Sequence, residues 1–191
     1  KFYLSIKIKF MLLSNFKKNS FLNIVVTILL IIYFLFGIIL SINAGISHDE
    51  FHEQNNWEYN LDLIKFFFNN NHEVDLNFRD RFYGVGFQFL SQPMQYLIKD
   101  FISYFFYIDD YGSKLISKHP VIFTFYFLSS YFFYKIILLI TNNKSFSLIG
   151  TFSYLLYPYL LGHSFVNPKD IPFLSIWIIL TYYSFYISNI F

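Results

Sequence analysis

A chain of 191 residues that is 55% hydrophobic, only 14% charged and close to neutral at +2 does not read as a soluble domain, in which charged residues make up about a quarter. The absence of cysteine excludes disulfide staples, thiolate metal sites and a cysteine nucleophile. The abundance of Phe and Tyr matches what AT-rich codons encode, so no single aromatic residue is given a role from frequency alone.

Five lysines, Lys1, Lys7, Lys9, Lys17 and Lys18, open the chain with no acid among them, and 1–20 reads as a cytoplasmic segment. From 21 to 42 the sequence is uncharged and apolar, broken only by Asn23, Thr27, Gly37 and Ser41. At about 1.5 Å per residue it reaches roughly 33 Å, enough for a bilayer core. It is too long for the apolar part of a signal peptide and lacks a small-residue cleavage site, so a retained first span is predicted over 21–43.

The stretch 44–119 holds eleven acids against six bases and reads as a large outer loop. Within it, Trp57, Leu61, Ile64, Phe67 and Phe68 repeat at helical spacing. The stretch 87–108 is strongly apolar but carries Lys99 and Asp100 at its middle, which favours a helix lying in the membrane interface over a fifth span. Further apolar runs predict spans over 120–140, 146–165 and 171–191, with Lys135 snorkelling near the end of the second and Tyr157-Pro158 kinking or ending the third. The turns at 141–144 and 163–170 are short, so these three helices are expected to be antiparallel neighbours. Lys135 and Lys144 add to the basic side, and four alternating spans then put every acid on the other. The expected architecture is all-α: a polytopic transmembrane bundle of about four spans with a large extracytoplasmic loop carrying interfacial helices. A first residue other than Met and an apolar run continuing to Phe191 read as a piece of a longer protein.

Three constellations could carry chemistry. His48-Asp49-Glu50-Phe51-His52-Glu53 follows the first span directly. A carboxylate fixed at a rigid helix end can accept a proton in a transfer reaction, while acids in a first turn also simply suit the helix dipole. His48 and His52 would share a helix face. The zinc-protease pattern H-E-x-x-H would place its general base where Asp49 stands, so a looser divalent-metal site is the better metal reading, on His48, His52, Glu53 and His163. The second constellation runs Gly162-His163-Ser164-Phe165-Val166-Asn167-Pro168-Lys169-Asp170-Ile171-Pro172. It offers a His, a Lys and an Asp on the same side, and Lys169 beside a helix start can neutralise a phosphate. The third is Arg79-Asp80-Arg81-Phe82-Tyr83-Gly84, where Arg79, Arg81 and Tyr83 could grip a phosphate or sugar ring or anchor at lipid headgroups. His72 and His119 read as isolated polar residues of the loop.

In their order, an acidic pair after the first span, a large outer loop with interfacial helices and a Pro-Lys-Asp loop after the third, these features resemble the GT-C superfamily of polyprenyl-phosphate-sugar-dependent glycosyltransferases. The nearest subgroup is the dolichyl-phosphate-mannose protein mannosyltransferase-like family (glycosyltransferase family 39), which includes the bacterial aminoarabinose transferases. His163 to Phe173 carries the resemblance most strongly and Arg81-Phe82-Tyr83-Gly84 more weakly. It covers nearly this whole chain, but only the amino-terminal part of the family's domain.

The resemblance implies an inverting transferase with Asp49 as the general base, Glu50 as the second acid of the pair, Asp170 as a further acid of the site and Lys169 near the donor phosphate. It implies a polyprenyl-phosphate-linked sugar donor and a lipid, glycan or protein acceptor, with no nucleic acid. The setting would be a bacterial inner membrane, with the site on the periplasmic side. Two other classes compete: a flippase or transporter of lipid-linked sugars, and a non-catalytic membrane assembly subunit. Transporters place ionisable groups within their spans, whereas here such groups crowd the ends.

Overall fold

The computed structural model describes residues 20–68, 74, 79, 84–106 and 108–188. All regular structure among them is helical: α1 (Ser20–Ile42), α2 (His48–Phe68), α3 (Gly86–Phe106), α4 (Asp110–Ile116), α5 (His119–Thr141), α6 (Lys144–Leu155), α7 (Pro158–Val166) and α8 (Asp170–Ser188). The chain divides into two units at Phe36–Gly37, within α1. In the first unit the described part is one apolar helix with Ile24, Ile28, Ile31 and Ile32 exposed.

Three stretches among the described residues are long and apolar enough to cross a membrane: Asn23–Ile42, Asp110–Thr141 and Asp170–Ser188. They correspond to the expected first, second and fourth spans. The second is longer than the sequence suggests, because α4 runs almost directly into α5. The expected third span is two helices, α6 and α7, neither long enough alone. The break falls where the sequence placed it: α6 ends at Leu155, Tyr157 is extended, and Pro158 opens α7 at a position where its missing N–H costs nothing.

In the second unit α5 is the hub, packed along α8, α6 and α7. Its turn into α6 is set by two asparagines. Asn142 takes the left-handed conformation at φ 49°, and the Asn143 side chain accepts from the Ser145 and Phe146 N–H groups. Aromatic rings fill the seams: Tyr126 and Phe133 meet Tyr154 on α6, and Phe132 meets Tyr182 and Tyr183 on α8. Ser129, Ser130, Ser147, Thr151 and Ser175 are buried between helices. Ser130, Ser147, Thr151 and Ser175 return their hydroxyls to carbonyls of their own helices, and Ser129 meets the Tyr154 hydroxyl at 2.8 Å. Such small residues let helices approach without a buried polar cost, as in lipid-embedded bundles. Gly37 serves the same end: a Cβ there would fall on the Phe123 ring.

The region expected as an outer loop is largely helical. α2 begins at His48, nine residues before the apolar stripe suggested, and of that stripe Trp57 is buried while Ile64, Phe67 and Phe68 are exposed. The rest of its buried face is polar: Glu50, Glu53, Gln54 and Asn56. α3 is amphipathic in the inverse sense of a helix in a water-soluble protein. Gln88, Ser91 and Gln95 are at most 2% exposed, whereas Leu97 is 76%, Tyr104 76% and Phe105 58% exposed. In its first half the polar side faces protein and the apolar side outward, an arrangement suited to the hydrocarbon boundary of a membrane, while further along Ile98 and Ile102 join Ile42 and Ile116 in the core. α3 is not one of the three stretches apolar enough to cross.

Ion pairs tie α4 to its neighbours: Lys99–Asp110 at 2.5 Å to α3 and Lys114–Glu58 at 2.8 Å to α2. Burial pushes the Glu58 carboxyl up, but the Lys114 and Gln54 hydrogen bonds and the Lys114 charge outweigh it, and Glu58 is held below the usual carboxylate range. A depressed carboxylate stabilises the fold above its unfolded pKa, and that contribution is lost as pH falls through the folded value. The melting temperature is therefore expected to drop on going from pH 6 to below about pH 4, and to drop less in Glu58→Gln. Equal drops in the two proteins would remove Glu58 from the account.

Candidate functional site at the helix ends

The start of α2 is capped by the Glu50 side chain. Ser47 precedes the helix, and Glu50, three residues on, reaches back so that the Ser47 N–H donates to its Oε1 at 2.7 Å. This turns the other oxygen, Oε2, into the protein, where it meets His119 Nε2 at 2.8 Å. His119 Nδ1 lies 2.9 Å from the Ser41 carbonyl at the end of α1. Ser41, Glu50 and His119 are all at most 1% exposed.

The proton count follows from the partners. A carbonyl only accepts, so Nδ1 carries a hydrogen, and the Nε2–Oε2 contact then holds one shared proton. The pair is neutral overall, as imidazolium with carboxylate or as imidazole with carboxylic acid, which makes its burial tolerable. His119 is thus not the isolated loop residue that the sequence suggested but the first residue of α5, clasped to α1 and α2. Position 119 gave no local sign of this. The S-x-x-E spacing at 47–50 is the signal of such a cap, and the sequence reading did not use it.

One turn along α2 from Asp49, Glu53 is buried and forms an ion pair with Lys169. This pair joins the first expected constellation to the second. The loop before α8 is organised by Asn167, whose Oδ1 accepts from the Lys169 and Asp170 N–H groups at 3.0 and 2.9 Å. The Asn167 amide N–H groups donate to Asp170 Oδ2 at 3.0 Å and meet His163 Nδ1 at 3.1 Å. The side chain of Asn167 therefore fixes both members of the Lys169-Asp170 pair, a role the sequence reading did not assign to it.

Glu53, Gln88, Lys169 and Asp170 line an open groove of about 570 Å³, with Leu90, Phe173 and Ile176 as part of its apolar wall. Both amide atoms of Gln88 are without a hydrogen-bond partner among the described residues. An unsatisfied buried polar group costs about 1–3 kcal/mol, so the arrangement is held at a price. The ammonium of Lys118, a fully buried residue at the α4–α5 junction, also has no hydrogen-bond partner among the described residues; Glu50 and Glu53 supply the strongest compensating charge.

The other expected site residues are placed as follows. Asp49 is exposed in the first turn of α2, on the same face as Glu53 four residues on, and is not part of the groove lining. Arg79 is exposed, and Arg81 and Tyr83 lie outside the described residues. Of the four expected metal ligands, His48 and His52 are neighbours with ring centroids 5.3 Å apart, Glu53 is committed to Lys169, and His163 contacts Asn167 and the Tyr159 ring. No three His, Asp or Glu residues gather into a metal-holding group among the described residues.

No known protein family, characterised protein or solved structure matches the chain.

Proposed function

We propose that this chain acts as a membrane-embedded, inverting glycosyltransferase of the GT-C type, moving a sugar from a polyprenyl-phosphate donor to an acceptor hydroxyl. The observation that carries the reading is the Glu53–Lys169 pair, which brings the acidic helix start and the Pro-Lys-Asp loop together at one groove. The groove is polar at Glu53, Gln88, Lys169 and Asp170 and apolar at Leu90, Phe173 and Ile176, which suits a ligand with a charged head and a hydrocarbon tail.

The proposed topology has four crossings: α1, α5, the broken pair α6–α7, and α8. The lysine-rich start is cytoplasmic, and α2 to α4 lie on the opposite, extracytoplasmic surface with α3 in the interface. Ser41 at the end of α1 bonds to His119 at the start of α5, and Glu53 bonds to Lys169 just before α8. This collection of helix ends at one level is what alternating crossings would produce.

In this reading Lys169 meets the donor phosphate, aided by Arg79. The acceptor oxygen attacks the anomeric carbon opposite the phosphate. The carbon–oxygen bond to phosphate breaks, polyprenyl phosphate leaves with that electron pair, and the acceptor proton passes to Asp49. Glu50 serves as the second acid of the pair by setting the helix start, and Asp170 lies beside the donor.

The test uses proteoliposomes and a radiolabelled polyprenyl-phosphate sugar. Lys169→Met should raise the donor KM by roughly 10–100-fold, the weight of a charge-assisted contact, while Lys169→Arg recovers most of it. An unchanged KM in Lys169→Met, or equal transfer from a water-soluble nucleotide sugar, would overturn the reading.

A further inference from the structure

We infer that Gln88 recognises the sugar ring in this groove, and that the ring it takes has two adjacent free hydroxyls and no carboxylate. The inference rests on the reading of the groove as a donor site. Gln88 lies in the first turn of α3, is 2% exposed and lines the groove beside Glu53, Lys169 and Asp170. Other buried glutamines of this seam spend their amide N–H groups inside the protein: Gln54 on Glu58 and Gln95 on the Ser91 hydroxyl, each at 2.8 Å. Gln88 spends neither its N–H groups nor its carbonyl on any described residue. A buried amide with both ends uncommitted, on the wall of a groove, is a recognition element awaiting a partner rather than a packing element.

The chemistry of that partner follows from the amide. It presents one acceptor and one pair of donors side by side, and two adjacent hydroxyls, each able to donate and accept, complement it directly. A phosphate would use only the donors and a hydrocarbon chain neither. A ring carboxylate would face Glu53 and Asp170 across the same groove, like charge against like. The phosphate is left to Lys169, the tail to the apolar wall and the hydroxyl pair to Gln88.

The test compares the wild-type chain with Gln88→Leu, both in nanodiscs, by calorimetric titration. The probes are undecaprenyl phosphate, undecaprenyl-phosphoryl mannose, the same mannosyl lipid with its ring hydroxyls methylated, and phosphatidylglycerol as a control lipid. The wild type should bind the free mannosyl lipid about tenfold or more tightly than the methylated one, the loss of roughly one well-made hydrogen bond or more. Gln88→Leu should bind the two equally and keep the wild-type affinity for undecaprenyl phosphate. Its melting temperature should stay at or above that of wild type, because no hydrogen bond of the free protein is removed. A Gln88→Leu variant that keeps the preference for free hydroxyls, or that melts lower, overturns the assignment of Gln88 alone. A wild type that binds undecaprenyl phosphate no better than phosphatidylglycerol overturns the donor-site reading, and the assignment with it.

Discussion

Asp49→Asn is expected to lower sugar transfer by about 10²- to 10⁴-fold, the usual weight of a general base, and to leave the folded protein otherwise intact. The contrast with its neighbours is what makes the experiment clean. Glu50 is buried against His119, and Glu53 is paired with Lys169, so replacing either disturbs the architecture as well as the chemistry. Asp49 is exposed, and no described hydrogen bond or ion pair is lost when its carboxylate becomes an amide. Membrane insertion, melting temperature and donor KM should all remain near wild type, with the loss confined to kcat. Full transfer by Asp49→Asn would end its assignment as the base. The rival readings separate in the same assay. A flippase would move lipid-linked sugar across the bilayer without forming a glycosidic bond. A non-catalytic assembly subunit would keep its phenotype with Asp49 and Asp170 replaced together.

His119→Ala should be the most damaging single change to the fold, costing about 3–5 kcal/mol, as expected when one partner of a buried charged pair is removed. It removes the imidazole from the Ser41 carbonyl, which keeps the Ala44 N–H at 3.3 Å, and leaves Glu50 Oε2 facing a void in a fully buried place. For a chain of this size that corresponds to a fall of very roughly 6–20 °C in melting temperature, readable from the fluorescence of Trp57 and Trp177. Glu50→Gln should be far milder, because an amide N–H can donate to His119 Nε2 while Nδ1 stays on Ser41. Combining Glu50→Gln with His119→Ala should cost less than the two changes summed, since both act on one contact. If His119→Ala melts within about a degree of wild type, the clasp contributes little to holding α1, α2 and α5 together.

The local features were legible in the sequence and the distant ones were not. The apolar runs around 21–42, 120–140 and 171–191 mark the three long apolar helices because hydropathy is a property of neighbours along the chain. Pro158 marks the break between α6 and α7, because losing a backbone donor is a local event. The two expected loops do meet, but through Glu53 and Lys169, and nothing in either segment says which acid pairs with which base across 116 positions. His119 shows the same limit from the other side: a single His in a polar stretch carries no sign that it will be sealed between a carbonyl and a carboxylate. The orientation of α3 was only partly visible. Its amphipathic pattern is in the sequence, but which side turns inward depends on the neighbours, and here these are α4 and α5, far along the chain from its polar residues.

That orientation bears on how the protein can be handled and on what its activity responds to. A helix whose hydrocarbon side looks away from the protein is only half packed by its own chain, and surrounding acyl chains would complete it. Gln88, in the first turn of that helix, would then be positioned in part by bilayer thickness and lateral pressure. Stripping with a harsh detergent would disturb the groove before it melted the central helices, and lipid composition would enter the donor affinity as directly as any side chain.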